Sequence, residues 1–212
     1  MRNLLHVGCG GSRLQNLPVF FQDGNWSEIR YDINPDVAPD IVGELQDMSI
    51  IEDNSIDALY SSHNIEHVWA FEVGRVLEEF CRVLADDGFA MVLCPDILSV
   101  CQAVVDGALE GALYQSPAGP ISAIHIMYGH QNSIAEGNVF MAHKTAFTSS
   151  SLAQNLIRSG FRKVVVARDH IYGLHALAFK RQPETTRLDE LIRALIPAMN
   201  GVVTVETFES AS

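Results

Sequence analysis

The sequence predicts an α/β fold, a doubly wound and mostly parallel sheet with an antiparallel C-terminal hairpin strand. Three observations carry this expectation. Short apolar runs alternate with segments of helical period along most of the chain. The first run, NLLHVG, closes on a glycine-rich bend. The second run ends on an acidic residue, Asp32, 24 positions after Gly8.

The elements follow in order. NLLHVG (3–8) reads as a buried strand. In SEIRYDINP, Ile29, Tyr31 and Ile33 alternate and Pro35 stops the run, which gives a second strand. DIVGEL (40–45) is a weaker third strand and NSIDALYSS (54–62) a fourth. The period then changes. Val73, Val76, Leu77, Phe80, Val83 and Leu84 recur at helical spacing, so a helix is expected over 70–85, with Gly88 as its left-handed cap. GFAMVLCP (88–95) is the next strand, and 97–113 read as helix. Residues 115–147 lack periodicity and are too many for a simple connection, so they are expected to form a lid or substrate loop. A helix over 149–159 ends at Gly160. FRKVVVARD and GLHALAFKR then make an antiparallel edge. The expected division is one domain over 1–182, followed by a C-terminal helix and tail over 183–212. In that tail, Thr186 and Asp189 form a capping box, Pro197 stops the helix, and VVTVETF is a last strand or a tail. The stripe of this helix packs on the sheet or against a second subunit, a possible homodimer.

Composition narrows the function classes. At 212 residues, with 48% hydrophobic and 19% charged, the chain can bury a sizeable core. Fourteen Lys and Arg against 26 Asp and Glu give a net charge of −12, which argues against nucleic acid as a partner. No apolar run approaches membrane-spanning length, and no signal-peptide core follows the amino terminus. The four cysteines make no CxxC pair, and a reduced, cytoplasmic protein is expected.

In an open α/β sheet, ligands sit beyond the carboxyl ends of the strands, so residues just after strands carry the chemistry. Gly8 and Gly10 permit a tight turn and close approach of a ligand to main chain. A dinucleotide fingerprint would need glycine at 13, where Arg13 stands. Pro18 soon interrupts any following helix, which disfavours a pyrophosphate and favours a nucleoside without phosphates. Asp32 can accept hydrogen bonds from both hydroxyls of a ribose. Asp47 can accept from an adenine amino group, with Met48 on the ring face. His63-Asn64-Ile65-Glu66-His67 has H-x-x-E-H spacing. A zinc hydrolase needs such histidines inside a helix and a third ligand supplied later. Here the pattern follows a strand and no later acidic cluster is a clear partner, so no metal is expected. His125, His130 and His143 fall in the long segment.

Together, LLHVGCGGS, RYDINP, GELQDMSIIEDNSIDALYSSHNIEHV and EEFCRVLADDGFAMVLCPDI resemble the class I S-adenosylmethionine-dependent methyltransferases over about the first hundred residues. More narrowly, MYGHQNS and MAHKTAFTSSSLAQNLIRSGF resemble a compact, poorly characterised bacterial subgroup with a shortened first helix. The resemblance implies a Rossmann-like sheet and S-adenosyl-L-methionine as cofactor. It implies that Gly8, Cys9 and Gly10 line the methionine part, that Asp32 meets the ribose, that Asp47 and Met48 hold the adenine, and that Ile33 belongs to the same cofactor site. Ser62 and His63 then stand beside the methyl group. The expected reaction is methyl transfer to a small molecule, with His63 as first candidate base and His130 and His143 next. Two departures, His6 at a usually acidic position and Ser12 at the third glycine, motivate a rival: a binding module without catalysis. A zinc hydrolase using His63, Glu66 and His67 ranks below it.

Overall fold

A computed structural model of the protein describes residues 1–116, 119–196 and 204–210. Strands β1 (Arg2–Val7), β2 (Trp26–Asp32), β3 (Ile41–Val42), β4 (Ile56–Ser62) and β5 (Leu84–Pro95) pair in parallel in the order β3-β2-β1-β4-β5. Strand order reverses at β1, which has β2 on one side and β4 on the other. The antiparallel part differs from the expected edge. Strand β9 (Gly173–Phe179) lies inside the sheet, between β5 and β8 (Lys163–Arg168). All seven of its residues are buried, in keeping with the near-continuous apolar run GLHALAF. The outer position belongs to β10 (Thr204–Glu209), which pairs antiparallel with β8.

Helices α1 (Val73–Val83) and α5 (Ser149–Arg158) cover one face. Their inward residues, among them Val76, Leu77, Phe80, Leu152 and Leu156, share one core with Leu5, Leu59, Val92 and Val164 from the strands. The other face is closed by Leu17, Phe21 and Trp26 and by α6 (Thr185–Leu195), through Leu191, Leu195 and Ile196. The apolar stripe of α6 therefore packs on this chain's own sheet. Its cap differs from the expected box. Glu184 is the N-cap, without a side-chain bond, and Thr186 lies inside the helix. The expected stop at Pro197 lies outside the described residues.

Gly88 does not cap α1. The chain leaves that helix at Leu84 in extended conformation and enters β5 directly. Gly88 sits where the β4–β5 register shifts, and a Cβ there would stand 3.0 Å from the carbonyl oxygens of Ala85 and Ile56. The glycine permits a close backbone approach at a bulge. Helix α2 (Ile97–Val105) is shorter than its apolar run, because Gly107 follows with φ +94 and closes it.

The segment expected as an irregular lid is folded. A hairpin of β6 (Ala112–Ser116) and β7 (Gly119–Ser122) leads into α3 (Ala123–Tyr128) and α4 (Gln131–Ala135). Val100, Ala123 and Ile126 give this insertion its own small core. Its helices are set by caps at short range. Ser122 and His125 form a capping box, and the His130 side chain accepts from Ser133 N.

Candidate active site

The bend after β1 is held from below by side chains of β2. Gly8 and Gly10 have φ +60 and +49, the left-handed region where glycine is unstrained. Arg30 is buried beneath them. Its Nε donates to Ser12 O (3.1 Å), its Nη2 to Gly10 O (2.5 Å) and its Nη1 to Ala38 O (2.5 Å). One guanidinium thus ties the glycine bend to the turn after β2. Asp32 bonds the same two segments on the cleft side, accepting from Gly10 N and Asn34 N, both at 2.8 Å. The departure at His6 has a partner on the neighbouring strand. His6 Nδ1 lies 2.8 Å from Glu28 Oε1, and Glu28 Oε2 accepts from Leu14 N. Burial outweighs that carboxylate and lowers the His6 pKa. The bend keeps few donors for a phosphate. Cys9, Gly10, Ser12, Arg13 and Leu14 all donate their N–H groups within the protein.

Two cavities adjoin above the carboxyl ends of the strands. The first, about 250 Å³, is walled by Gly8, Gly10, Asp32, Ile33, Asn34, Gly43, Leu45, Gln46 and Asn64, and roofed by Asn138, Phe140 and Met141. Gly43 leaves no room for a side chain, since a Cβ would stand 2.1 Å from the Tyr31 hydroxyl. Asn64 presses on Gly8, and its Nδ2 is buried without a hydrogen-bond partner. The second cavity, about 280 Å³, is walled by Pro95, Tyr114, Ile121, Ile126 and Tyr172 and by five histidines: His63, His67, His125, His130 and His143. His63, His67 and Met141 belong to both walls. His63 follows β4 with φ +49, unusual for a residue bearing a side chain, and its Nδ1 is 3.3 Å from Glu66 Oε1. Burial works to raise the Glu66 carboxyl, but His63, His67 and His143 outweigh it and leave it below its ordinary value.

Residues 5–92 match the methyltransferase-domain family model, and no curated protein matches the sequence. Among solved structures, a protein from Pyrococcus horikoshii OT3 superposes with a TM-score of 0.60 at 15% identity, over 85% of this chain and 83% of its own. A SAM-dependent methyltransferase from Archaeoglobus fulgidus gives 0.55 at 14% identity, over 84% and 85%. A third is the 1,6-didemethyltoxoflavin-N1-methyltransferase of Burkholderia thailandensis, with 1,6-didemethyltoxoflavin and S-adenosylhomocysteine bound. It gives 0.52 at 14% identity, over 85% and 71%. Residues 5–92 thus resemble a methyltransferase domain, and the fold is shared with solved S-adenosylmethionine-dependent methyltransferases. The sheet is the mostly parallel, Rossmann-like sheet expected.

Of the expected cofactor residues, Gly8, Gly10, Asp32, Ile33 and His63 reach the first cavity. Four expected cofactor residues do not. Cys9 points down into the protein, 3% exposed, and burial raises its thiol to about 11. Met48 is fully buried in the core, because its N–H and C=O are pinned from below by Glu79 and Arg82. Asp47 faces an exposed pocket beside Arg75 and Arg82, and Ser62 walls neither cavity. Leu45 and Gln46 take the wall position expected for Asp47 and Met48. The expected bases His63, His130 and His143 meet in the second cavity. Sequence reasoning missed Arg30 and Asn64, although the charge at Arg30 within an apolar strand was a visible signal. Among the described residues, no helix is long and apolar enough to cross a membrane.

Proposed function

We propose that the protein transfers a methyl group from S-adenosylmethionine to a small-molecule acceptor held in the histidine-walled cavity. The observation that carries this reading is the junction of the two cavities at His63, His67 and Met141. The first cavity suits a nucleoside without phosphates. Asp32 keeps acceptor capacity toward two hydroxyls, the Asn64 amide seeks an acceptor, and the bend has spent most of its donors internally. When bound, the cofactor supplies an electrophilic methyl carbon. The chain's part is alignment of the acceptor, and such positioning is worth roughly 7–11 kcal/mol at best.

An acceptor bearing a hydroxyl or ammonium must also lose a proton. His63, at the junction, is the first candidate to take it. His130 faces the same cavity, with Nδ1 2.8 Å from Ser133 Oγ. His143 Nδ1 donates to Ile126 O at 2.7 Å, and burial lowers its pKa and keeps the ring neutral. The test is calorimetric titration with S-adenosylhomocysteine, followed by a methyl-transfer screen over small acceptors. His63→Ala should keep product affinity and lose about 10²–10⁴-fold in turnover. Full turnover in that variant removes His63 from the role. Product binding with no methyl transfer to any acceptor favours the non-catalytic module.

A further inference from the structure

Glu66 is the most unusual side chain in the molecule. The residue is 1% exposed; His63 Nδ1 stands 3.3 Å from Oε1, and neither oxygen accepts a well-formed hydrogen bond. A buried carboxylate whose charge meets only one long ion pair is costly and calls for a further compensating partner. What surrounds it is a set of imidazoles. One ligand-type atom each from Glu66, His67 and His143 lie within 4.8 Å of one another. The two rings are edge to face, with centroids 4.9 Å apart.

Both rings are also oriented in advance. His67 Nδ1 lies 3.1 Å from Ala142 O and His143 Nδ1 2.7 Å from Ile126 O. A carbonyl oxygen only accepts, so both Nδ1 atoms carry a proton, and each ring in its neutral form offers the Nε2 lone pair. A backbone carbonyl fixing the far nitrogen is the arrangement that orients metal-ligating histidines. The backbone locks the two segments together as well. Lys144 N and Thr145 N both donate to Glu66 O, and His143 N donates to Tyr128 O.

We propose that Glu66, His67 and His143 bind a divalent transition-metal ion of the zinc or cobalt class at the junction of the two cavities. Two neutral imidazoles and one carboxylate are a donor set suited to such ions. Zn–N and Zn–O bonds of about 2.0–2.2 Å place ligands roughly 3–4 Å apart, so small side-chain rotations close the set. The third ligand absent from the H-x-x-E-H reading is His143, 76 residues after His67, brought in by the insertion. His67 walls both cavities and Glu66 and His143 the second, so the open positions of the ion face the acceptor space. Metal binding itself does not depend on the methyl-transfer reading; only that orientation toward an acceptor rests on it.

The test is titration of the metal-stripped, purified protein with Co²⁺, followed by visible ligand-field bands, and then displacement by Zn²⁺. One equivalent should bind, and Zn²⁺ should erase the bands. Glu66→Gln and His143→Ala should each weaken binding by at least about tenfold. His170→Ala, in an exposed loop, should leave it unchanged. Circular dichroism of the metal-free variants confirms folding, and either variant that folds suffices. Absence of bands in the wild type, or unchanged Co²⁺ affinity in a folded variant, overturns the site. S-adenosylhomocysteine titration is run in parallel. Loss of that signal with Co²⁺ binding intact would count against the methyl-transfer reading alone.

Discussion

Replacing Asp32 by alanine tests the cleft most directly. In the free protein the carboxylate accepts from Gly10 N and Asn34 N, both at 2.8 Å, and is 8% exposed. Its removal leaves two donors at the cleft floor with water as the alternative partner. The stability loss should be about 1–3 kcal/mol. Binding should suffer more. Two ribose hydroxyls meeting one carboxylate make two charge-assisted bonds, each worth roughly 1.5–3 kcal/mol. The sum, about 3–6 kcal/mol, is a 10²–10⁴-fold weakening at about 1.4 kcal/mol per decade. Calorimetric titration with S-adenosylhomocysteine, well below the unfolding midpoint of the variant, separates the two effects. A folded Asp32→Ala protein that binds the thioether within about threefold of the wild type would refute the reasoning, because then no hydroxyl pair rests on Asp32.

Arg30→Met removes the donors to Gly10, Ser12 and Ala38 and should cost at least about 3 kcal/mol in urea unfolding; a loss under 1 kcal/mol shows that the bend stands without the staple. Glu79 accepts from Met48 N and from Arg82, and the Arg82 hydrogen bond leads in holding its carboxyl below the ordinary value. Its stabilisation is therefore present above the unfolded value of about 4.3 and fades as pH falls through the lower folded value. The stability gap between wild type and Glu79→Gln should accordingly be seen at pH 7 and close in acid; a gap unchanged at pH 3 contradicts this. Leu191→Ala, on the buried side of α6, should cost about 2–5 kcal/mol by denaturant melt if the helix packs on its own sheet.

The sheet was legible in the sequence because its strands are apolar runs closed by Gly or Pro, a strong local signal. Position in the sheet was not. GLHALAF reads equally well as an edge or as an interior strand, and only pairing with both β5 and β8 decides it. The insertion was illegible for another reason. Its helices span five and six residues, too short for a helical period to show, and they start from Ser122 and His130 caps. The site divides in the same way. Gly8, Gly10 and Asp32 were legible since their chemistry sits at strand ends. Met48 was misplaced because sequence spacing does not reveal which side of a turn faces the cleft, and here Glu79 and Arg82 draw its backbone inward.

The choice of ligand class comes down to how the chain holds a bend that lacks a helix behind it. A dinucleotide site aims the free N–H groups of a helix N-terminus at phosphate. Here only short 3-10 turns follow, Leu14–Asn16 and Val19–Gln22. Arg30 gathers carbonyls of the bend from below, while Asp32, Glu28 and Asn16 take its N–H groups. The bonds to its N–H groups would have to break before a pyrophosphate found more than a few donors. Asp32 at the floor and the unpaired Asn64 amide on the same cavity wall are features that answer hydroxyls and a carboxylate or carbonyl rather than phosphate. An acidic chain of net charge −12 repels phosphates further. Nicotinamide dinucleotides should therefore fail to compete with S-adenosylhomocysteine at any attainable concentration. Competition at comparable concentrations would mean that the bend opens its donors, and that the bonds seen here do not define the ligand.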